Sequence, residues 1–231
     1  MIESGTADRL KKRERIAFAQ GPRTVAGLRV HRAVSWIGRA EQAGDADGCF
    51  LFLWIAFNAL YAEDHEPDGW GSEREDQRRF FGRIASCRGT SEVHDAIWTQ
   101  YHDAILGLIR NRYAYYAFWK HRNGVSGFAK WQAQWERENA RIRTTVMNQD
   151  TGDLLRMLFD RLYVVRNQLL HGGATWGGRL NRTQAEDGAA ILGSLVPIFV
   201  NIIIRHPERH WGRPHYAPGP KWRKALGDTA P

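Results

Sequence analysis

Residues suited to acid–base chemistry on phosphates stand together in one short segment, RNQLLHGG at residues 166–173. The unperturbed pKa of histidine lets His171 give or take a proton near neutral pH. The guanidinium of Arg166 offers a planar fork of donors that matches phosphate oxygens and keeps its charge throughout a reaction. Asn167 could fix the imidazole or contact a phosphate or a ribose hydroxyl. Such a set could activate a ribose 2′-hydroxyl, stabilise a phosphorane-like transition state and protonate the leaving oxygen without a metal ion.

A structural interpretation of the same residues is equally open. Arg and His side chains in the last turn of a helix suit the negative end of its dipole and can hydrogen-bond its free carbonyls. On this interpretation, replacing Arg166 and His171 changes stability and no activity.

A long amphipathic helix must position these side chains. Its apolar residues step by three and four, as expected for one buried stripe: Leu155, Leu158, Leu162, Val165 and Leu169. At about 100° per residue, Asn167 and His171 lie one turn apart on the opposite face, and Arg166 lies on the flank of the stripe. Gly172 stands where a left-handed residue usually ends a helix.

The helix geometry separates the two charged candidates within one chain. Arg166 and His171 are about 140° apart around an ideal helix, so their side chains diverge. Unwinding of the last turn at the glycines would bring them together. Two copies of the helix end that face each other across a two-fold axis would also build one cleft, and we favour this arrangement. The sequence therefore predicts a homodimer with the motif at its interface.

The spacing of Arg166 and His171, with the polar Asn167 after the arginine, resembles the R-x4-H signature of the HEPN superfamily (higher eukaryotes and prokaryotes nucleotide-binding domains). The runs VRNQLLHGG at 165–173 and FLWIAFNALY at 52–61 look most like the ApeA-like HEPN group. The close similarity covers roughly residues 160–175, and a looser one covers 50–61.

This resemblance implies an all-α, usually dimeric domain whose active members are metal-independent endoribonucleases. Many such members act as toxins or in phage defence, and some cut tRNA. Arg166, Asn167 and His171 are then the expected catalytic residues, with RNA as the partner and with no cofactor or metal. An antitoxin or regulatory protein is a further expected partner. The alternative is a non-catalytic HEPN module that binds RNA, a nucleotide or a partner protein.

Composition and charge agree with a helical protein that meets a polyanion. The 231 residues, 43% of them hydrophobic, can bury one sizeable core. The formal net charge of +8 favours a partner such as RNA. Few stretches alternate apolar and polar residues, so we expect an all-α fold, a HEPN-type helical bundle with additional inserted helices. The two cysteines suggest no disulfide framework and favour the cytoplasm.

Three regions are expected along the chain. Residues 1–28 form a basic, loosely ordered segment, residues 29–206 the HEPN-like helical domain, and residues 207–231 a basic tail rich in proline and aromatic residues. Residues 63–150 within the domain are an inserted helical region. The helices are predicted at 30–42, 47–62, 91–119 and 127–143, with a final long helix to about residue 206. The apolar runs 49–62 and 191–204 are shorter than the roughly 20 residues that span a bilayer, so we expect core helices and no membrane partner.

A second candidate surface lies in the run RNRYAYYAFWKHR at residues 110–122. Basic side chains that flank aromatic rings could offer phosphate contacts and stacking surfaces for unpaired bases. The candidates are Arg110, Arg112, Tyr115, Lys120 and Arg122, together with Arg179 in the glycine-rich loop after the motif helix. In the alternative interpretation, Tyr113, Tyr116 and Trp119 pack at helical spacing while the charges face water.

Overall fold

A computed structural model describes residues 2–19, 24–64, 73–179 and 182–216. Over these ranges the secondary structure is helical, apart from one isolated bridge between Glu63 and Pro214, which confirms the all-α fold. The helices in chain order are α1 (Thr6–Ala17), α2 (Val25–Glu41), α3 (Ala46–Tyr61), α4 (Glu73–Ala85), α5 (Ser91–Asp95), a π-helical turn (Ala96–Gln100), α6 (His102–Ile109), a 3₁₀ turn (Arg112–Ala114), α7 (Tyr116–Arg122), α8 (Trp131–Met147), α9 (Thr151–Leu170) and α10 (Arg182–Arg205).

Helix α3 lies at the centre of the bundle, because its sequence is apolar nearly all round. It packs mainly against α2 and α10 and also contacts α4 and α9. The ring of Phe57 lies 4.5 Å from that of Phe159 in α9 and 6.1 Å from that of Phe199 in α10, measured between centroids. The predicted stripe of α9 faces this core, with Leu158 and Leu162 fully buried. The motif helix is therefore anchored along its length.

Helix α10 is a core helix. It is long and apolar enough to cross a membrane by length and composition alone, but 56% of that stretch is buried inside the protein. It continues through Pro197 and approaches α3 closely at Gly188, where an added Cβ would come 2.7 Å from the ring of Phe50. The absence of a side chain at Gly188 therefore sets the distance between these helices.

The expectation of a loosely ordered segment at residues 1–28 is wrong for its described part. Residues 6–17 form α1, which contacts α2 and α10, and the expected boundary at residue 28 falls inside α2. Ala7 and Leu10 are buried while the basic residues of α1 face water. Two apolar residues three positions apart dock this helix, although charges dominate its composition.

The single helix expected at residues 91–119 is broken into several pieces. Tyr101, with φ −120° and ψ 15°, separates the π-helical turn from α6. The side-chain oxygen of Asn111 accepts a hydrogen bond from the Tyr113 backbone N–H at 2.8 Å and starts the 3₁₀ turn. A short polar side chain here competes with helix hydrogen bonding, which apolar periodicity does not reveal.

The described part of the expected tail, residues 207–216, packs on the bundle. Trp211 is buried and donates to the carbonyl of His206 at 3.0 Å. The buried side chain of Arg29 in α2 donates to the carbonyls of Ala59, Ala62 and Gly212 at 3.0–3.3 Å. Burial lowers the pKa of Arg29 to about 10, yet its charge persists at neutral pH and joins α2, the end of α3 and the tail.

The expected insertion at residues 63–150 contributes to the same core as the rest of the bundle. Phe80, Ile105 and Ile142 pack in that core, which also contains the buried residues of α2, α3, α9 and α10. A second, small cluster surrounds Phe118 and Trp131 between α7 and α8. The part of the chain around α7 is therefore built on its own aromatic packing.

Candidate active site

Arg166 stands in the wall of a cleft of about 660 Å³ formed by α2, α3, α4, α9 and residues 214–216. Its guanidinium carbon lies 5.9 Å from the ring centroid of Trp54 and 5.4 Å from that of Tyr163. Two cation–π contacts therefore fix this side chain while it stays charged. The cleft also contains Arg32 and Trp36 together with three carboxylates, so basic, acidic and aromatic groups share one concave surface.

Asn167 contacts Arg166 directly. The Nη1 atom of Arg166 donates to the side-chain oxygen of Asn167 at 2.8 Å, and its Nη2 atom lies 3.9 Å from the carboxylate of Glu73. The Nε–H of Arg166 is buried without a hydrogen-bond partner among the described residues. The sequence left open whether Asn167 orients the imidazole or contacts a substrate; in the structure it holds the guanidinium.

A buried polar network supports Glu73. The hydroxyl of Tyr61 lies 2.6 Å from the Glu73 carboxylate and 2.7 Å from the Asn58 side-chain oxygen, and it accepts from Gln77 at 3.1 Å. Its single proton is best placed on the charged acceptor, Glu73. Burial first, and then the charge of Glu73, raise the pKa of Tyr61. The network joins α3, α4 and, through Arg166, α9.

His171 caps the C-terminal end of α9 and is exposed. Its imidazole has no hydrogen-bond or ionic partner among the described residues, and it is not among the residues that form the Arg166 cleft. Gly172 has φ +68°, which confirms the predicted left-handed end of the helix. One chain therefore does not bring Arg166 and His171 into one cleft. Neither side chain bonds the last carbonyls of α9, in contrast to the helix-capping interpretation.

The loop that follows His171 is held by the N-terminal end of α3. The backbone N–H of Gly177 donates to Asp47 at 3.1 Å, and Asp47 also pairs with Arg182. The indole N–H of Trp176 donates to Asp45 at 3.3 Å. Hydrogen bonds from the Gly48 backbone and then from Trp176 lower the pKa of Asp45. These contacts fix the chain on the C-terminal side of the motif.

The six candidate RNA-binding residues differ in their exposure to solvent. Arg110, Arg112, Arg122 and Arg179 are exposed, and Lys120 is half-buried with its ammonium 5.2 Å from the ring centroid of Tyr116. Tyr115 is half-buried and less open to a base than the four arginines. Its ring packs 4.9 Å from that of Trp135 and 4.6 Å from the guanidinium carbon of Arg161.

Several contact residues of Arg166 were missed by the sequence reasoning. Glu73 lies far from the motif in sequence, and no pattern connects it to Arg166; Tyr61, which bonds Glu73, ends the run at 52–61 that carries the looser part of the resemblance. The contact with Tyr163 could have been predicted from the sequence, because Tyr163 precedes Arg166 by three residues and therefore shares its helix face.

No group of three or more His, Cys, Asp or Glu side chains within the described ranges could hold a metal ion. The ring nitrogens of His206 and His215 instead bond the carbonyls of Arg88 and Glu63, at 3.1 and 3.2 Å. The arrangement of these side chains suits phosphate binding at Arg166 and proton transfer at His171. Comparison with known proteins adds nothing to this, since no family model, curated protein or solved structure matches the chain.

Proposed function

We propose that this chain is a metal-independent endoribonuclease of the HEPN type, with tRNA among its candidate substrates. One observation carries the proposal. An arginine held beside two aromatic rings lines a cleft that contains both basic and acidic side chains, and its own helix ends at an exposed histidine without a partner among the described residues. A role as toxin or phage-defence effector in the cytoplasm, held in check by an antitoxin or regulatory protein, belongs to the same proposal.

The reaction needs the side chains of the motif and water. The ribose 2′-oxygen loses its proton to a base and attacks the adjacent phosphorus, and the bond to the 5′-oxygen of the next nucleotide breaks. His171 either removes the 2′ proton as general base or protonates the leaving 5′-oxygen as general acid, and a water molecule makes the other proton transfer. Arg166 neutralises the charge on the phosphorane-like transition state. Asn167 orients Arg166 through the 2.8 Å hydrogen bond. The products carry a 2′,3′-cyclic phosphate and a 5′-hydroxyl.

The proposed active unit is a homodimer. Arg166 and His171 face different surroundings within one chain, and a second copy can place an imidazole opposite a guanidinium without unwinding the last turn of α9. The helix ends that carry the motif meet across the two-fold axis in this arrangement.

The test incubates total RNA and purified tRNA with the protein in excess chelator. We expect cleavage by the wild type and its loss in His171→Ala and in Arg166→Lys, which keeps the charge but not the planar fork. The matched control is His210→Ala, since His210 is an exposed histidine outside the motif. Mass spectrometry of a defined cleaved oligonucleotide should show the cyclic phosphate. Absence of cleavage by well-folded wild type would contradict the proposal.

The second candidate function is a non-catalytic module that binds RNA, a nucleotide or a partner protein. The separation of Arg166 from His171 in one chain favours it. It predicts RNA binding that Arg166→Ala weakens, with no cleavage that depends on His171. The same incubation, with a binding measurement beside it, distinguishes the two functions.

A further inference from the structure

A surface beside α7 combines exposed aromatic rings with positive charge, in which Arg74 pairs with the carboxylate of Asp160 at 3.2 Å. Residues 104–135 contain five Lys and Arg residues, eight aromatic residues and no Asp or Glu. Tyr113 is 41% exposed and Tyr116 is 38% exposed. We define the α7 platform as the five residues Arg74, Arg112, Tyr113, Tyr116 and Lys120.

Each exposed ring of the α7 platform has a cation beside it. The guanidinium carbon of Arg112 lies 5.0 Å from the ring centroid of Tyr113, and its Nη2 atom donates to the Tyr113 hydroxyl at 2.9 Å. The ring of Tyr116 has Arg74 at 5.3 Å and Lys120 at 5.2 Å. Neither Arg112 nor Lys120 pairs with a carboxylate among the described residues. These two cations are therefore available to an anionic ligand.

The platform is held rigidly from below. Phe118 and Trp131 pack edge to face beneath it, with centroids 5.2 Å apart. The indole N–H of Trp119 donates to the Tyr113 carbonyl at 2.7 Å. The rings are thus ordered before any ligand arrives, which lowers the entropic cost of binding.

Two connections join the platform to the motif helix. Gln168, in the last turn of α9, donates to the carbonyl of Tyr113 at 2.8 Å. The ring of Tyr163 contacts both Arg74 and Arg166. The guanidinium carbon of Arg74 lies 5.8 Å from the ring centroid, and that of Arg166 lies 5.4 Å from it. Alternating cations and rings therefore lead from the Arg166 cleft to α7.

We infer that the α7 platform binds an unpaired RNA strand next to the proposed cleavage site. Aromatic and guanidinium planes accept stacked bases of any sequence, and the cations between them meet the phosphates. A duplex offers the phosphates but hides the base faces, and an acidic protein surface would leave the rings unused. This inference rests on the proposed function and restricts its substrate to RNA that is single-stranded beside the scissile bond.

The experiment measures binding by fluorescence anisotropy in a His171→Ala background, so that the RNA stays intact. The probe is a labelled single strand of about 12 nucleotides, compared with the same sequence as a duplex. We expect the single strand to bind more tightly, and Tyr116→Ala to raise its Kd about fivefold or more. Thermal unfolding of each variant checks that the fold is retained.

A matched pair of lysines tests the charges. Lys120→Gln should lower the slope of log Kd against log salt by about 0.7, because one phosphate contact is lost. Lys12→Gln removes the same charge from the exposed face of α1 and should leave slope and affinity unchanged. Three results would each overturn the inference. The first is that the Tyr116 and Lys120 variants bind the single strand as tightly as their parent. The others are tighter binding of the duplex than of the single strand, and Tyr116-dependent binding to anionic vesicles in place of RNA.

The two proposals fail separately. Platform-dependent binding of RNA without cleavage by the wild type would contradict the proposed ribonuclease function and support the proposed binding surface. Chelator-resistant cleavage by the wild type, together with normal binding and cleavage by the platform variants, would support the ribonuclease function and contradict the proposed binding surface.

Discussion

The guanidinium of Arg166 donates a 2.8 Å hydrogen bond to the side-chain oxygen of Asn167, the residue that follows it in sequence. Neighbouring residues of a helix usually point about 100° apart, so this contact draws the two side chains together on the flank of α9. Asn167 is therefore the positioning residue for Arg166.

Removal of this contact should impair the reaction more than the fold. Asn167→Ala frees one N–H of Arg166 at a half-buried position, and we expect kcat/KM for RNA cleavage to fall about tenfold, since a hydrogen bond to a charged group contributes about 1.5 kcal/mol. Asn167→Asp should lower phosphate affinity instead, because the new carboxylate neutralises Arg166. Kinetics with a defined oligonucleotide measure both, and urea unfolding checks stability. Equal rates for wild type and Asn167→Ala would exclude the positioning role.

The buried hydroxyl of Tyr61 should matter for stability. Tyr61→Phe leaves Glu73 and Gln77 short of a buried hydrogen-bond partner, so the free energy of unfolding should fall by about 1–3 kcal/mol. Tyr216→Phe, which changes an exposed tyrosine, is the control and should have no effect. Urea unfolding at neutral pH measures the difference.

The same network predicts a loss of stability in alkali. Burial raises the pKa of Tyr61 in the folded state, whereas the unfolded tyrosine ionises near pH 10. The unfolded chain then releases a proton that the folded chain keeps, so the stability due to Tyr61 is complete below about pH 10 and declines above it. The advantage of wild type over Tyr61→Phe should shrink between about pH 8 and about pH 10.5. A constant difference over that range would contradict this assignment.

The end of the motif helix allows a clean test of backbone conformation. Gly172 has φ +68° and open space around an added Cβ, so Gly172→Ala should lower the free energy of unfolding by about 1 kcal/mol through backbone strain alone. Gly107 lies inside α6 with equally open space, and Gly107→Ala should raise it by about 0.5 kcal/mol. Opposite shifts in urea unfolding are expected. A free energy of unfolding that is unchanged or raised in Gly172→Ala would show that the left-handed end is not required.

The central helices could be predicted because their apolar patterns are typical of buried or amphipathic helices. The run at 49–62 is apolar nearly all round, and the helix predicted at 47–62 agrees with α3 within one residue. The stripe of α9 has a helical period, and its predicted end before Gly172 is also correct. Arg29 could not be predicted, since a charged side chain is rarely buried and its partner carbonyls lie about 30 and more than 180 residues away. The break at Asn111 was hidden because apolar residues continue on both sides of it.

The candidate site also has features that could be predicted from the sequence and features that could not. The pairing of Arg166 with Asn167 follows from adjacency, and the exposure of His171 follows from its place opposite the buried stripe. Glu73 and Tyr61 depend on how α3 and α4 cross α9, a packing angle that the pattern of one helix does not encode.

The two-fold arrangement can be tested with two inactive chains. If Arg166 of one copy acts with His171 of the other, a dimer of one Arg166→Lys chain and one His171→Ala chain contains one intact site. Random mixing of the two variants should then restore about a quarter of wild-type cleavage, because half of the dimers are mixed and each has one of its two sites intact. The control mixes each variant with itself, and gel filtration verifies that subunits exchange. No recovery after verified exchange would place both residues of each site in one chain, with the last turn of α9 unwound at Gly172.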